Sequence, residues 1–283
     1  MPRPALIGPV SAPRLHVMTF NVRRPIQHLN PRHPDRWPLR QAPMRAVLEA
    51  EQPTILGIQE AVPEQADFVT RSLGPDYRAI GRGRAADGSG ERCSIVYDGR
   101  RLELTSDHQY ALSRTPDAAG SRSFGNLLPR ILTIAHFTDR ATGLPLLIAN
   151  THLDHLSGRS RLRSAVMIRD LVAAAGVPAV VMGDANSPAG STPYDALGSG
   201  GVLRDAWTAA GRRLGDDVGT FSNYRAPKPG GKRIDWIFVS HQLEVESAGV
   251  LPTGSHGAAA SDHEPVQALI RVRGARDSSM PDS

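Results

Sequence analysis

Ala179-Val180-Val181-Met182-Gly183-Asp184-Ala185-Asn186 is the stretch on which the rest of the chain is read. The apolar run Ala179 to Met182 predicts a short buried strand, and Gly183 ends it where the backbone turns or packs closely. Asp184 and Asn186 follow at the strand's carboxyl end, two residues apart, so in an extended chain both point to one side. A carboxylate beside an amide at a strand mouth suits a site that holds a water and a polar substrate together. A plainer reading fits equally: Asp184 begins an Asx-turn and Asn186 caps a short helix near Ser191 to Ser199. The segment alone leaves both open.

Around it lie 283 residues, 40% of them hydrophobic, enough for one large domain or two small ones with a substantial core. The single cysteine, Cys93, excludes an internal disulfide and a cysteine-rich zinc site, and it sits in a strand-like run, Cys93 to Tyr97. The formal charge is +5, and Lys228 and Lys232 are the only lysines, so the basic residues are nearly all arginine. Such a balance favours anionic partners such as phosphates and nucleic acids. A compositional bias toward Arg, Ala, Gly and Pro explains much of it, so charge supports a function without naming one. No apolar run approaches bilayer length, and residues 1–13 have no continuous apolar h-region of a secretory signal. The expectation is a cytoplasmic protein without stable membrane insertion or an obligate protein partner, with a flexible N-terminus over 1–13, one domain over 14–273 and a disordered tail over 274–283.

Strands are predicted at Leu15 to Phe20, Ile55 to Gln59, Tyr77 to Ile80, Cys93 to Tyr97, Leu102 to Asp107, Arg130 to Phe137, Leu146 to Thr151, Arg233 to Val239, Leu243 to Val250 and Pro265 to Val272. Helices are predicted at Pro43 to Glu51, Pro63 to Leu73 and Ser160 to Ala175, where apolar residues recur at helical spacing. Arg23 to Gln41, rich in Arg, Pro and His around Trp37, reads as a loop that is long for an idle connection, as does His108 to Pro129. Strands outnumber helices, and neither a repeat nor a clean linker appears. Packed sheets with outer helices are the economical architecture.

Polar residues gather where these strands end: Asn21, Glu60, His152, Asp184, Asn186 and Asp262-His263, with Asp235 inside a strand. Singly, each has an ordinary explanation as a turn residue, a helix-entry carboxylate or a satisfied core histidine. Together, carboxylates with an amide and histidines describe a hard-cation site of oxygen ligands, Mg2+ or Mn2+, that keeps positions for water and phosphate oxygens. No H-E-x-x-H pair marks a zinc hydrolase. His152 and His155 stand three apart, but Leu153-Asp154 between them follows a strand end and opens no clear helix.

In this order, Thr19-Phe20-Asn21, Gly57-Ile58-Gln59-Glu60, Asn150-Thr151-His152-Leu153, Gly183-Asp184-Ala185-Asn186, Arg233-Ile234-Asp235-Trp236-Ile237 and Ser261-Asp262-His263-Glu264-Pro265-Val266 closely resemble the endonuclease/exonuclease/phosphatase (DNase I-like) superfamily, small bacterial type. The resemblance runs from about Leu15 to Val272. It implies an α/β fold, a four-layer α/β/β/α sandwich of two packed mixed sheets, with the active site at one edge between the sheets. It also implies metal-dependent hydrolysis of a phosphoester. Carried over by residue, Glu60 resembles the principal metal ligand, with Asn21 and Asp262 near the metal or its waters. Asp184 and Asn186 resemble the pair that orients and activates water and contacts phosphate. His263 matches the histidine at the scissile phosphate, Asp235 its carboxylate partner, and His152 a second phosphate-contacting histidine. Glu91 resembles the acidic residue that pairs with that second histidine, and Arg130 an arginine near the phosphate.

Such chemistry needs these residue types because a phosphoester's negative charge repels a nucleophile, so cation and aligned donors must neutralise it. Two departures bear on substrate: Ala185 stands where a bulky apolar residue is common, and Ala61 follows Glu60 where some DNA-cutting members carry a polar or basic group. Aromatic residues make up 5% of the chain, with no aromatic-rich basic strip to stack bases. The leading expectation is a phosphoesterase acting on a small or lipid-derived phosphate ester, with the Trp37 and 108–129 loops shaping its pocket. A nuclease with DNA or RNA as partner is the alternative, and a noncatalytic binding module on the same fold is the third, disfavoured because every expected position is filled.

Overall fold

The computed structural model describes residues 4–253 and 259–275. Two mixed sheets form its centre. Seven strands make the first: β1 (Leu15–Asn21), β2 (Ile55–Ala61), β3 (Tyr77–Ile80), β4 (Arg92–Asp98), β10 (Arg212–Leu214), β12 (Leu243–Val250) and β13 (Val266–Val272), in the order β10-β12-β13-β1-β2-β4-β3. Six make the second: β5 (Leu102–Ala111), β6 (Ile131–Asp139), β7 (Pro145–His152), β8 (Ala179–Asp184), β9 (Leu203–Asp205) and β11 (Asp235–Ser240), in the order β5-β6-β7-β8-β11-β9. The pairs β1–β2 and β7–β8 are parallel, whereas β8–β11 and β1–β13 are antiparallel. Helices α1 (Trp37–Glu51) and α2 (Pro63–Leu73) cover the first sheet, and α3 (Gly158–Ala175) with α4 (Thr192–Gly198) covers the second. A one-turn helix, α5 (Ala206–Ala209), follows β9.

Strand alternation divides the apolar residues among three layers. In β1, Leu15 and Val17 enter the core between the sheets, while Met18 and Phe20 meet the helices. In β8, Val180 and Met182 point between the sheets, and Ala179 and Val181 toward α3 and α4. The sheets are in close contact at Gly57, where a Cβ would stand 2.8 Å from Asn150 Oδ1. There Gln59 Nε2 donates to Asn150 Oδ1 at 2.7 Å, and Asn150 Nδ2 donates to the carbonyls of Ile58 and Ser94. Gly183, with φ 146°, fits because a Cβ would lie 2.0 Å from Thr151 O. The four-layer expectation is met.

Several local expectations change. Helix α1 begins at Trp37, six residues before the predicted start, so Pro43 lies inside it. Proline's missing N–H strips a partner from the carbonyl of Leu39, a residue exposed enough for water to replace it. Its buried face includes Arg40, whose guanidinium donates to the carbonyls of Val22, Arg23 and Asp35. A buried arginine hid the helical period from a reading of apolar residues. Strand β5 continues to Ala111, shortening the long loop after it. Residues 1–3 and the tail beyond 275 lie outside the described residues. Within the stretch expected to be flexible, the N–H groups of Leu6, Ile7 and Gly8 are fastened to the buried Glu51 carboxylate at 2.7, 3.2 and 3.1 Å. Among the described residues, no helix is long and apolar enough to cross a membrane.

One ion pair away from the cleft makes stability depend on pH. Arg101 donates to both oxygens of Asp139 at 2.6 and 2.8 Å, and Thr142 Oγ1 and the Ala141 N–H add bonds. Burial alone would raise the Asp139 carboxyl, but these partners hold it below its ordinary value of 3.8. A depressed folded-state pKa contributes stability above the unfolded value, and that contribution disappears as pH falls through the folded one. Asp139→Asn is therefore expected to lower the urea midpoint at pH 6, with the difference from the wild type shrinking as pH falls through the folded-state pKa; a difference that does not change with pH would remove this assignment.

Candidate active site

The inward alternation of the strands predicts what lies at their mouths. Asp184 continues the series Val180, Met182; Asn21 continues Leu15, Val17; His152 continues Leu146, Ile148; Asp235 precedes Ile237, Val239. All four emerge at one end of the space between the sheets. Glu60 has the opposite parity, following Leu56 and Ile58 toward the helices. A register shift between Ile58 and Ala61, with φ 61° at Glu60, turns its side chain back. His263 comes from the segment before β13, paired through an isolated bridge with Phe221.

Asp184 is the hub. Its Oδ2 accepts from Asn21 Nδ2 at 2.9 Å and lies 3.4 Å from His152 Nε2 and 3.7 Å from His263 Nε2. Its Oδ1 accepts the Asn186 N–H at 2.9 Å, closing an Asx-turn. The Asx-turn is present and leaves Asp184 Oδ2 facing the two histidines: it aims Asn186, at φ 48°, so that its Nδ2 donates to Leu153 O. Asn186 does not cap α4, where Ser191 takes the N-cap position.

Behind His263, Asp235 Oδ2 is 2.9 Å from Nδ1, so the carboxylate accepts and the ring proton sits on Nδ1. Burial opposes a charged His263, but Asp235 and Asp184 outweigh it and push its pKa up to about 10. At His152 burial prevails with help from Arg130 over Asp184, pushing the value down to about 4. Two histidines on either side of one carboxylate are thus driven apart, one toward imidazolium and one toward neutral imidazole.

Glu60 accepts from Asn21 Nδ2 at 3.0 Å and from the Arg24 N–H at 3.2 Å. Burial works to raise it, yet His152, Asn21, the Arg24 N–H and Arg23 bring it down to about 2. Asp262 joins this group through Arg23, whose guanidinium lies 3.7 Å from Glu60 and 3.5 Å from Asp262. Burial raises the Asp262 carboxyl despite His263 and Arg23. Potential ligand atoms of Glu60, His152 and Asp184 lie within 4.8 Å of one another, as do those of Asp184, Asp235 and His263.

Two softer expectations change. Glu91 does not pair with His152; it is held by Arg84 at 2.9 Å, with Arg24 at 3.6 Å. The glycine-rich turn 81–90 brings Arg84 back over β4, where a guanidinium satisfies a half-buried carboxylate better than a histidine already engaged with Asp184. Arg130 does border the cleft, but its guanidinium is buried against Asp154 and His155. Trp37, the first residue of α1, packs in the core edge-on to Phe68 and does not line the cleft, but Arg23 and Arg24 of the same connection do, as does Leu128 of the 108–129 loop.

The cleft, about 400 Å³, is also lined by residues the motifs did not mark: Arg23, Arg24, Arg84, His155, Phe221 and Asn223. They stand on irregular loops, where no periodicity singles out a side chain. The one available signal was the length of the Arg23 to Gln41 connection, which Arg40 pins through the carbonyls of Val22 and Arg23. The site as a whole offers oxygen ligands, an acceptor at Asp184, paired imidazoles of opposite tendency and flanking guanidiniums, a set suited to holding an anion and polarising water.

A model of the Endonuclease/Exonuclease/phosphatase family matches residues 18–263. Among solved structures, an endonuclease/exonuclease/phosphatase from Bacteroides vulgatus is 32% identical, covering 92% of this chain and 99% of that one, with a TM-score of 0.83. A family protein from Bacteroides thetaiotaomicron is 30% identical over 91% of this chain and 98% of that one, TM-score 0.83. A mannosyl-6-phosphatase from the same organism is 30% identical over 90% and 99%, TM-score 0.83. A search of curated proteins finds no match.

Proposed function

We propose a function from one premise: the chain belongs to the endonuclease/exonuclease/phosphatase family. It hydrolyses a phosphomonoester or phosphodiester by attack of water, with a divalent metal as cofactor. The observation that carries this reading is the position of Asp184, an acceptor within 3.7 Å of two imidazoles and bonded to Asn21 beside Glu60.

The residues present fit a hard cation. Glu60 is ionised across the working pH range, and Glu60, His152 and Asp184 converge with Asn21 bridging the two carboxylates. Glu60 would hold the ion, with Asn21 and Asp262 on it or its waters, and Mg2+ or Mn2+ would supply Lewis-acid polarisation of the phosphoryl group. The protein's own groups divide the remaining work. Asp184 and Asn186 orient the attacking water, and Asp184 accepts its proton. His263, held by Asp235, donates to a phosphoryl oxygen where charge develops. His152 donates from Nε2 on the other side.

The similar mannosyl-6-phosphatase supports a phosphorylated sugar among the substrates to be tried. Arg23, Arg24 and Arg84 along the cleft keep a nuclease as the second reading, because flanking phosphates would meet them. A panel of p-nitrophenyl phosphate, its bis ester, sugar phosphates, plasmid DNA and RNA with Mg2+, Mn2+ or EDTA separates these. Metal-dependent turnover of at least one ester is expected, with nuclease activity marked by a steep fall with salt. No turnover together with no metal binding would end the reading. Glu60→Gln is expected to raise the metal concentration for half-maximal rate about 10- to 100-fold or more, read also as weaker Mn2+ binding by calorimetry.

A further inference from the structure

His155 stands apart from the motif residues, yet its surroundings are fully specified. Arg130, 3% exposed, directs Nε to Asp154 Oδ2 at 3.3 Å and Nη2 to His155 Nδ1 at 2.8 Å. A guanidinium has only N–H groups to offer, so Nδ1 of His155 must be the acceptor and the ring's proton lies on Nε2. The ring is exposed and lines the cleft, and among the described residues Nε2 has no hydrogen-bond partner.

The loop beneath it is fixed from both sides. Asp154 Oδ1 accepts the N–H groups of Leu156 and Ser157 at 2.9 and 2.6 Å, and Asp154 O accepts Arg161 Nη1 at 2.8 Å. The Leu153 N–H donates to Asp184 O at 2.9 Å, and Leu153 O accepts Asn186 Nδ2 at 3.0 Å. Ser157 Oγ caps α3 by accepting the Ser160 N–H. The segment carrying His155 is therefore bonded directly to the two residues assigned to the attacking water. A surface histidine with no task needs no buried arginine at its back, since removing a guanidinium from water is costly even beside a carboxylate.

We propose that His155 binds substrate, donating its Nε2–H to a non-reacting oxygen, and that Arg130 is the positioning residue that fixes the ring for this. The inference rests on the reading of the cleft as a phosphoester site. It also assigns Arg130 a role in holding the His155 ring instead of on the phosphate.

Glutamine provides the sharpest variant. At 155 its carbonyl can accept from Arg130 while its amide donates to the cleft, reproducing both functions of the ring. Glutamate keeps the first and presents negative charge in place of the second. With Mg2+ and p-nitrophenyl phosphate or its bis ester, whichever the wild type turns over, His155→Ala is expected to raise KM about ten- to hundredfold with kcat little changed, the loss of a hydrogen bond to a charged acceptor. His155→Gln recovers most of that loss, and His155→Glu does not. The nitrogen-15 spectrum of the full-length protein gives a readout apart from turnover. His155 shows the Nε2–H form in the wild type, inorganic phosphate shifts that nitrogen, and Arg130→Met releases the fixed form. Arg130→Met risks misfolding, whereas the His155 variants change an exposed side chain and keep the test intact. An active wild type whose KM is unchanged in His155→Ala, or an Nε2 unmoved by phosphate, overturns this inference alone; a wild type inert toward every ester removes the function it rests on.

Discussion

Asp184→Asn is expected to lower kcat by about two to four orders of magnitude while the protein still folds, the loss that follows removal of a positioned general base. The substitution is nearly isosteric and keeps an oxygen to accept the Asn186 N–H, so the Asx-turn survives. The other atom becomes an amide nitrogen facing Asn21 Nδ2 at the position now 2.9 Å away, with His152 Nε2 and His263 Nε2 just beyond. Donors then meet a donor, and no group remains to take the proton of an attacking water. Unfavourable contacts will lower stability somewhat, and urea unfolding separates that cost from catalysis. If the folded variant retains activity within tenfold of the wild type, the proton acceptor lies elsewhere.

What could be read in advance follows from how strands expose information. Val180, Met182 and Asp184 share one side of β8, so a two-residue period places both core and carboxylate, and the same holds for Asn21, His152 and Asp235. Glu60 broke the rule: its parity points to the helices, and only the register shift and left-handed backbone bring it into the site. Its motif identified it where its periodicity could not. The arginines were opaque for a different reason. With 33 basic residues in the chain, nearly all arginine, an individual arginine carries no signal. Arg23, Arg24 and Arg84 acquire meaning only when two separate loops converge on the cleft. Glu91 failed because its partner depended on the course of the 81–90 turn, which delivers Arg84 to it.

The sheet itself bears a conflict that the site explains. Asp184 and Asp235 are direct register partners across the antiparallel β8–β11 pair, a position where like charges destabilise. Both are buried, and among the described residues Asp235 Oδ1 has no hydrogen-bond partner. The His263 ring, 2.9 Å from Asp235 and 3.7 Å from Asp184, supplies the positive charge between them. A pair placed for stability would not be built this way, because apolar or neutral residues there avoid the desolvation. Asp235→Asn is therefore expected to divide the two properties. An asparagine oxygen still accepts from His263 Nδ1, so the ring keeps its place, and one buried carboxylate is removed; the melting temperature should stay level or rise. Catalysis should suffer, because the imidazole loses the charge that supports donation to the phosphoryl oxygen. A fall in kcat of about two to four orders of magnitude, with KM little changed, is the expected result. Steady-state kinetics beside thermal unfolding decides it. An unchanged rate would dissolve the Asp235–His263 partnership as a catalytic unit, and a large loss of stability with the rate intact would make Asp235 a structural residue instead.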